Sequence, residues 1–142
     1  MARKRAHADD AAAKLADVAF FEGFTPEQLR RVAELAEEVD AEQGAELTEQ
    51  GRPGTEAYVI LEGTAGVYIG GEKRTELGPG EIVGEMALID HRPRTADVRA
   101  LTPMKLLAFD AERFRRLLDE MPQANLRVME KLVERLRALD LR

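Results

Sequence analysis

The sequence predicts a single α+β domain that is mainly β, with one helix before the strands and two after them. Three observations support this order. From Val39 onward, glycines recur at short intervals and separate short β-prone runs, which is typical of a β-sandwich or barrel. Apolar residues recur with helical spacing on either side of that region. The length of 142 residues is enough for one domain with a sizeable core.

The N-terminal residues are predicted to contribute little to the fold. Residues 1–13 are expected to form a flexible basic tail whose charge is concentrated in the RKR run at positions 3–5. The domain itself is placed at residues 14–142. A short helix is expected at residues 11–19, and the aromatic-rich segment 20–24 is expected to pack in the core.

The first strongly marked helix begins at Thr25. Thr25 can cap it, Pro26 fits the first turn, and Gln28 completes a capping box. Apolar residues then follow one helical face and extend the expected helix to about residue 38: Leu29, Val32, Leu35, Ala36 and Val39.

The clearest strands lie at residues 58–61 and 67–69. The segment 62–66 between them, EGTAG, is interpreted as a β-hairpin turn. Further strands are expected at residues 95–101 and 104–109, separated by a Thr-Pro break.

Two helices are predicted at the C-terminal end. Asp110 is expected to cap the first, and Pro122 starts the second, which runs to residue 140. Apolar residues on this last helix follow a 3-4-3 spacing that suits either a lid on a barrel or a dimer seam: Met129, Leu132, Leu136 and Leu139.

The segment 78–98, GPGEIVGEMALIDHRPRTADV, carries the residues best suited to binding. Gly84 lets the backbone approach a ligand closely, since it has no Cβ. The short apolar turn that follows can present free N–H groups to an anion. Arg94 brings a planar, permanently charged fork that suits two phosphate oxygens, and Thr95 adds a hydroxyl.

Glu85 lies beside this anion site, where like charges would repel. Its position is explained if the carboxylate accepts a hydrogen bond from a ribose hydroxyl. His91 and Arg92, in contrast, are expected at a solvated loop tip.

The string GEMAL at residues 84–88, followed by PRTA at 93–96, resembles the phosphate-binding cassette of cyclic nucleotide-binding domains. This family includes kinase regulatory subunits, cyclic nucleotide-gated channels and catabolite-activator-type regulators. The resemblance runs from about residue 20 to residue 142. It implies an eight-stranded double-stranded β-helix (jelly-roll) barrel with an N-terminal helix and two C-terminal helices.

The resemblance also implies roles for individual residues. The expected phosphate-binding residues are Arg94, Thr95, Gly84, Met86 and Ala87. Glu85 is expected to hold the ribose. The residues expected at the base, most of them on a lid formed by the final helix 122–140, are Val83, Arg135, Leu136, Leu139 and Asp140.

The function that follows is a stand-alone cyclic nucleotide sensor without a cofactor. Cyclic AMP is the favoured ligand, and a cyclic GMP sensor or an interaction module of the same fold that binds no ligand are the alternatives. A rearrangement of the lid helix would signal to a protein effector, or to a homodimer formed through that helix.

Composition argues against other classes of function. The only histidines are His7 and His91, and the chain has no cysteine or serine, so neither a clustered metal site nor nucleophilic catalysis is expected. A net charge of −6, from 21 basic and 27 acidic residues, disfavours nucleic-acid binding. No secretory signal or membrane-spanning run is present, so we expect a cytoplasmic protein with no membrane partner.

Overall fold

A computed structural model describes residues 1–85, 88 and 91–139 of the chain. The strands in these residues are β1 Ala2–Arg5, β2 Glu37–Ala41, β3 Glu46–Thr48, β4 Glu56–Glu62, β5 Ala65–Ile69, β6 Glu72–Leu77, β7 Ile82–Val83, β8 Asp97–Ala100 and β9 Met104–Asp110. The α-helices of eight or more residues in this part of the chain are α1 Ala8–Leu15, α2 Pro26–Glu34, α3 Ala111–Glu120 and α4 Pro122–Leu139, and a 3₁₀ turn covers Ala19–Phe21.

The strands form two antiparallel sheets. The five-stranded sheet has the order β1-β2-β9-β4-β7, and the four-stranded sheet has the order β3-β8-β5-β6. The predicted α+β class, rich in strands, is therefore confirmed. The described residues form nine strands, not eight, and the two sheets are not joined into a closed barrel.

The central strands of the five-stranded sheet, β4 and β9, are buried on both faces. In β4, Ala57 and Val59 pack in the core shared with the helices, whereas Tyr58 and Ile60 pack in a second core between the sheets. This position explains why β4 is a nearly continuous apolar run. A strand covered on both faces has no solvent-exposed face, so polar residues are not needed at alternate positions. The aromatic segment 20–24 joins the helix-side core, as expected, through edge-to-face ring contacts.

Helix α2 begins as predicted but ends earlier. The hydroxyl of Thr25 accepts from the backbone N–H of Gln28, and the side chain of Gln28 accepts from the backbone N–H of Thr25, which completes the capping box. The helix ends at Glu34, not near residue 38. The reason is tertiary, because β2 pairs with β9 and takes Val39 into the core between the sheets.

The N-terminal residues do not form the expected flexible tail. Strand β1 pairs antiparallel with β2, from Ala2 opposite Asp40 to Arg5 opposite Glu37, and α1 follows from residue 8. Acidic side chains pair with two basic residues of β1, Arg3 and Lys4; the Lys4 ammonium lies 3.3 Å from the Glu38 carboxylate. These acidic partners lie more than thirty residues along the chain, so the basic run had no visible partner in the local sequence.

The segment 62–66 is not a hairpin. Strands β4 and β5 lie in different sheets, so this segment carries the chain from one sheet to the other. Gly63 has φ +96°, and a Cβ there would lie 2.5 Å from the carbonyl oxygen of Pro103. Pro103 lies in the segment between β8 and β9, which also carries the chain from one sheet to the other. The two crossings between the sheets, 62–66 and the β8–β9 segment, therefore pack against each other. A true hairpin turn follows β5, where Gly70 and Gly71 both have positive φ.

Both C-terminal helices are present. The carboxylate of Asp110 accepts from the backbone N–H of Arg113, as expected of the helix cap. Helix α4 buries Ala124 and Val128 in the helix-side core. No helix in the part of the chain described here is long and apolar enough to cross a membrane.

Two glycines allow the crossing between sheets to be tested. Gly44 and Gly63 both have positive φ, but a Cβ at Gly44 would meet nothing within 4 Å. We expect Gly44→Ala to lower the free energy of unfolding by about 1–2 kcal/mol, the cost of the left-handed conformation alone. Gly63→Ala should lower it by roughly a further 1–3 kcal/mol, because the methyl group overpacks the crossing.

Chemical unfolding of the two variants and of the unsubstituted protein measures this difference. Equal losses of stability in the two variants would show that the close approach to Pro103 is unimportant.

Candidate ligand-binding site

A cavity of about 310 Å³ opens between the four-stranded sheet and the segment that links β7 to β8. Its volume lies at the lower end of the roughly 300–1,000 Å³ that is typical of small-ligand sites. The apolar side of the cavity is formed largely by Val67, Ile69, Leu77 and Val98. Its charged and hydroxyl groups include Glu85, Arg92, Arg94 and Thr95. The cavity therefore combines an apolar wall with charged groups of both signs.

Arg94 is held in place by backbone carbonyl groups. Its Nη1 donates to the carbonyl oxygen of Gly84 at 2.5 Å, and its Nη2 donates to the carbonyl oxygen of Glu56. Its own backbone is also fixed, since the N–H of Arg94 donates to Arg52 and its carbonyl accepts from Gly51, both at 2.8 Å. Only 8% of the residue is exposed.

Burial lowers the pKa of Arg94 by desolvating its charged form, while Tyr58, Glu85 and Glu56 act in the opposite direction. Since the pKa of arginine ordinarily exceeds 12, the side chain remains a cation at neutral pH. The result is a fixed positive charge in the cavity wall.

Gly84 makes this placement possible. It has φ +83°, and a Cβ would collide with Nη1 of Arg94 and lie 3.0 Å from the carbonyl oxygen of Glu56. A glycine is therefore required here both by backbone conformation and by the passage of the arginine side chain.

Glu85 is also in the cavity wall. It is in helical conformation and only 1% exposed. Thr95 and Val83 line the cavity too; Thr95 is exposed at its mouth, and Val83 is buried in β7. The structure thus brings Val83, Gly84, Glu85, Arg94 and Thr95 to one cavity. Met86 and Ala87 lie outside the described residues.

Of the expected lid residues, Leu136 is 65% exposed on α4 and does not line the cavity. Arg135 and Leu139 belong to the same helix, and Asp140 lies outside the described residues. Their role at a base stays a prediction.

Sequence reasoning missed several residues of the site. Arg92 was expected at a solvated loop tip; it is exposed, yet it also lines the cavity. Val67 and Ile69 were assigned to a strand but not to the site. Their positions two apart in β5 were a usable signal, because alternate residues share one face of a strand.

A second missed group surrounds Glu56. Its carboxylate accepts two hydrogen bonds from Arg3, at 2.5 and 2.6 Å, and one from the hydroxyl of Tyr58 at 3.0 Å. The hydrogen bonds from Arg3 are the main cause that lowers the pKa of Glu56, and burial together with the Glu56 carboxylate raises the pKa of Tyr58 to about 12. Fifty-three residues separate Arg3 from Glu56, so no local pattern indicates this contact.

Within the described residues, no group of three or more His, Cys, Asp or Glu side chains could hold a metal ion. The charged groups and the apolar wall of the cavity are compatible with a small anion that has an apolar part.

The comparison with known families agrees with this geometry. The chain matches the family model described as "Cyclic nucleotide-binding domain" over residues 38–121, and it belongs to that family. The match extends from β2 to the end of α3 and includes both Glu85 and Arg94.

Solved structures show the same fold. The catabolite activator protein of Thermus thermophilus is 31% identical, with a TM-score of 0.79 over 86% of this chain and 60% of that one. The regulatory domain of Toxoplasma gondii PKA with cAMP is 25% identical, with a TM-score of 0.79 over 89% of this chain and 50% of that one. The chain therefore spans less than two thirds of either protein.

A third relative matches this chain over almost the whole of its own length. The cyclic nucleotide-binding-like protein from Brucella abortus bv. 1 str. 9-941 is 36% identical, with a TM-score of 0.64. The match covers 78% of this chain and 99% of that one.

The ion pair at Glu56 gives a testable dependence of stability on pH. Because the pKa of Glu56 is lower in the folded protein than its usual value, its contribution is fully present above the unfolded pKa of about 4.3 and disappears as pH falls through the folded pKa. The stability advantage of the unsubstituted protein over Glu56→Gln should therefore be constant from pH 7 to about 5 and shrink below about pH 4.

Chemical unfolding across this pH range measures the difference. Glu62→Gln, which removes an exposed carboxylate from the same strand, is the matched control. If the advantage over Glu56→Gln persists unchanged to pH 3, the pairing with Arg3 does not stabilise the fold.

Proposed function

We propose that this chain is a regulatory domain that senses a cyclic nucleotide, with cyclic AMP as the ligand. The observation that carries the proposal is the joint placement of Arg94 and Glu85 in the wall of one cavity, in a chain of this family. A cavity with one fixed cation, one carboxylate and an apolar wall suits a ligand that has one phosphate charge, a hydroxylated sugar and a flat base. The Toxoplasma gondii relative, solved with cAMP, supports this choice.

Each group of the ligand has a proposed partner. The guanidinium of Arg94 binds the cyclic phosphate, together with the hydroxyl of Thr95 and the backbone at Gly84, Met86 and Ala87. Glu85 accepts a hydrogen bond from the ribose 2′-hydroxyl. Because two backbone carbonyls already hold the guanidinium of Arg94, little reorganisation of this cation would be needed on binding.

The base is proposed to lie against the apolar wall near Val83. Helix α4 would close over it as a lid through residues Arg135, Leu136, Leu139 and Asp140. The alternative ligand is cyclic GMP, and the hydroxyl of Thr95 is compatible with either nucleotide. An interaction module that binds no ligand is the other alternative.

The cassette has a mechanical link to the helices. Glu85 lines the cavity, whereas Leu88, three residues further on, is 5% exposed and packs in the core that also holds residues of α3 and α4. A shift of the cassette on binding would therefore press on the helix-side core. We propose that this pressure moves α4 and forms the output signal.

The output requires a partner, and α4 offers a surface for one. Its exposed large apolar residues follow a 3-4-3 spacing: Leu126, Met129, Val133 and Leu136. A row of this kind is typical of a helix that packs against another helix. We propose that it contacts either a protein effector or the same helix of a second copy. The domain is proposed to regulate and not to catalyse.

Arg94→Ala tests the assignment of the phosphate site. We expect it to weaken binding by roughly 2–5 kcal/mol, about 30-fold to several thousand-fold, because the phosphate loses its fixed cation. Calorimetric titration with cyclic AMP and cyclic GMP measures the change and also identifies the preferred base. Arg74→Ala, an exposed arginine on β6, is the control and should bind as the unsubstituted protein does.

A loss of affinity below threefold in a folded Arg94→Ala protein would contradict the assignment of Arg94 to the phosphate site. No measurable binding of either nucleotide to the unsubstituted protein would instead favour the module that binds no ligand.

Glu85→Ala should weaken binding less, by about 1.5–3 kcal/mol, the range for a hydrogen bond to a charged group. The 2′-deoxy cyclic nucleotide should lose affinity for the unsubstituted protein and lose little more for the variant, since both changes remove the same contact. Titrating both ligands against both proteins completes the cycle. Additive losses would show that Glu85 does not contact the 2′-hydroxyl.

A further inference from the structure

The N-terminal strand reaches the candidate site through one ion pair. Arg3 of β1 makes a bidentate contact with the carboxylate of Glu56, with nitrogen–oxygen distances of 2.5 and 2.6 Å. A second carboxylate, that of Glu37, lies 3.8 Å from Nη1 of Arg3. The Glu56 side chain is 17% exposed, so this pair is more shielded from solvent than most ion pairs on a protein surface.

Glu56 is the residue that Arg94 also uses. Its carbonyl oxygen accepts a hydrogen bond from Nη2 of Arg94, while its carboxylate is held by Arg3 and the hydroxyl of Tyr58. Two arginines, from opposite parts of the chain, thus bind one glutamate through different groups. The charges of Glu56 and Arg94 also act on each other through space.

We propose that Arg3 is a positioning residue for the ligand site. It holds the Glu56 carboxylate in a bidentate contact, and this contact leaves the guanidinium of Arg94 on the carbonyl groups of Gly84 and Glu56, where it faces the cavity. This inference rests on the proposed function, because the effect is read through binding of a cyclic nucleotide.

The physical reason is competition for a half-buried charge. Without Arg3, the Glu56 carboxylate keeps the hydroxyl of Tyr58 but loses the bidentate cation that compensates its burial. A carboxylate binds a guanidinium more strongly than a backbone carbonyl does, because the hydrogen bonds are charge-assisted. Arg94 is therefore drawn from the carbonyl groups toward the carboxylate, and it would meet the ligand phosphate less well.

The competing explanation is that Arg3 only attaches β1 to the sheet. Substitution of Lys4 distinguishes this explanation from a positioning role, since Lys4 lies on the same strand and makes an ion pair with Glu38, at 3.3 Å. Loss of Lys4 removes a similar charge from β1 without touching Glu56. An effect due to strand attachment should therefore appear in both variants, and neutralising Glu56 should not reverse it.

The experiment titrates cyclic AMP into the unsubstituted protein, Arg3→Ala, Lys4→Ala and the double variant Arg3→Ala/Glu56→Gln. We expect Arg3→Ala to weaken binding by about three- to tenfold, within the range for residues that act through a neighbour. Lys4→Ala should change it less than about twofold, since exposed ion pairs contribute little. The double variant should recover most of the affinity, because a neutral amide does not compete for Arg94.

A second measurement does not depend on the ligand. The ¹⁵N resonance of the Arg94 Nε–H group should shift in Arg3→Ala, return in the double variant and stay unchanged in Lys4→Ala.

Equal affinities of Arg3→Ala and Lys4→Ala overturn the inference, and so does a double variant as weak as Arg3→Ala. If the unsubstituted protein binds no cyclic nucleotide, the proposed function fails and the inference fails with it. Normal binding by the unsubstituted protein with unchanged binding by Arg3→Ala overturns the inference alone.

Discussion

The candidate site depends on one buried interaction, the hold of two backbone carbonyls on the guanidinium of Arg94. A cation that is 8% exposed must be compensated by polar partners, or its burial is too costly. The chain meets this requirement with Gly84 and Glu56, whose carbonyl oxygens both accept from the fork. They come from the ends of two paired strands, since Tyr58 of β4 lies opposite Val83 of β7. The pairing of these strands therefore fixes where the charge lies.

The two-sided burial of the five-stranded sheet gives this site its connection to the helices. One face of the sheet packs against the other sheet and the second face packs against the helices. The cassette spans the same division, because Glu85 faces the cavity and Leu88 packs in the helix-side core. Tightly packed interiors transmit displacements instead of absorbing them. Under the proposed function, a small movement of the cassette would therefore be passed to α4, whose outer face carries the exposed apolar row.

Local chemistry made some features predictable. The capping box at Thr25 and the cap at Asp110 each involve atoms within three residues, so a short stretch of sequence contains the whole interaction. Gly84, Glu85, Arg94 and Thr95 lie in one short segment and line one cavity, but the Arg94 guanidinium also needs the carbonyl oxygen of Glu56, thirty-eight residues away. Predictions failed where a distant partner decided the outcome. The segment 62–66 was expected to be a hairpin, but its flanking strands pair with partners in two different sheets.

The sequence by itself determined the class of fold, the starts of helices α2, α3 and α4, and the short segment that contains Gly84, Glu85, Arg94 and Thr95, because these depend on spacing, capping and turn chemistry along neighbouring residues. The tertiary structure alone decided three things. It ended α2 at Glu34 by pairing β2 with β9, it turned the expected tail into β1, and it joined Arg3 to Glu56 beside Arg94. These three outcomes share one physical reason. Each depends on contact with a residue more than fifty positions away, or with a strand that is itself held by such a contact. The local sequence contains no sign of these contacts.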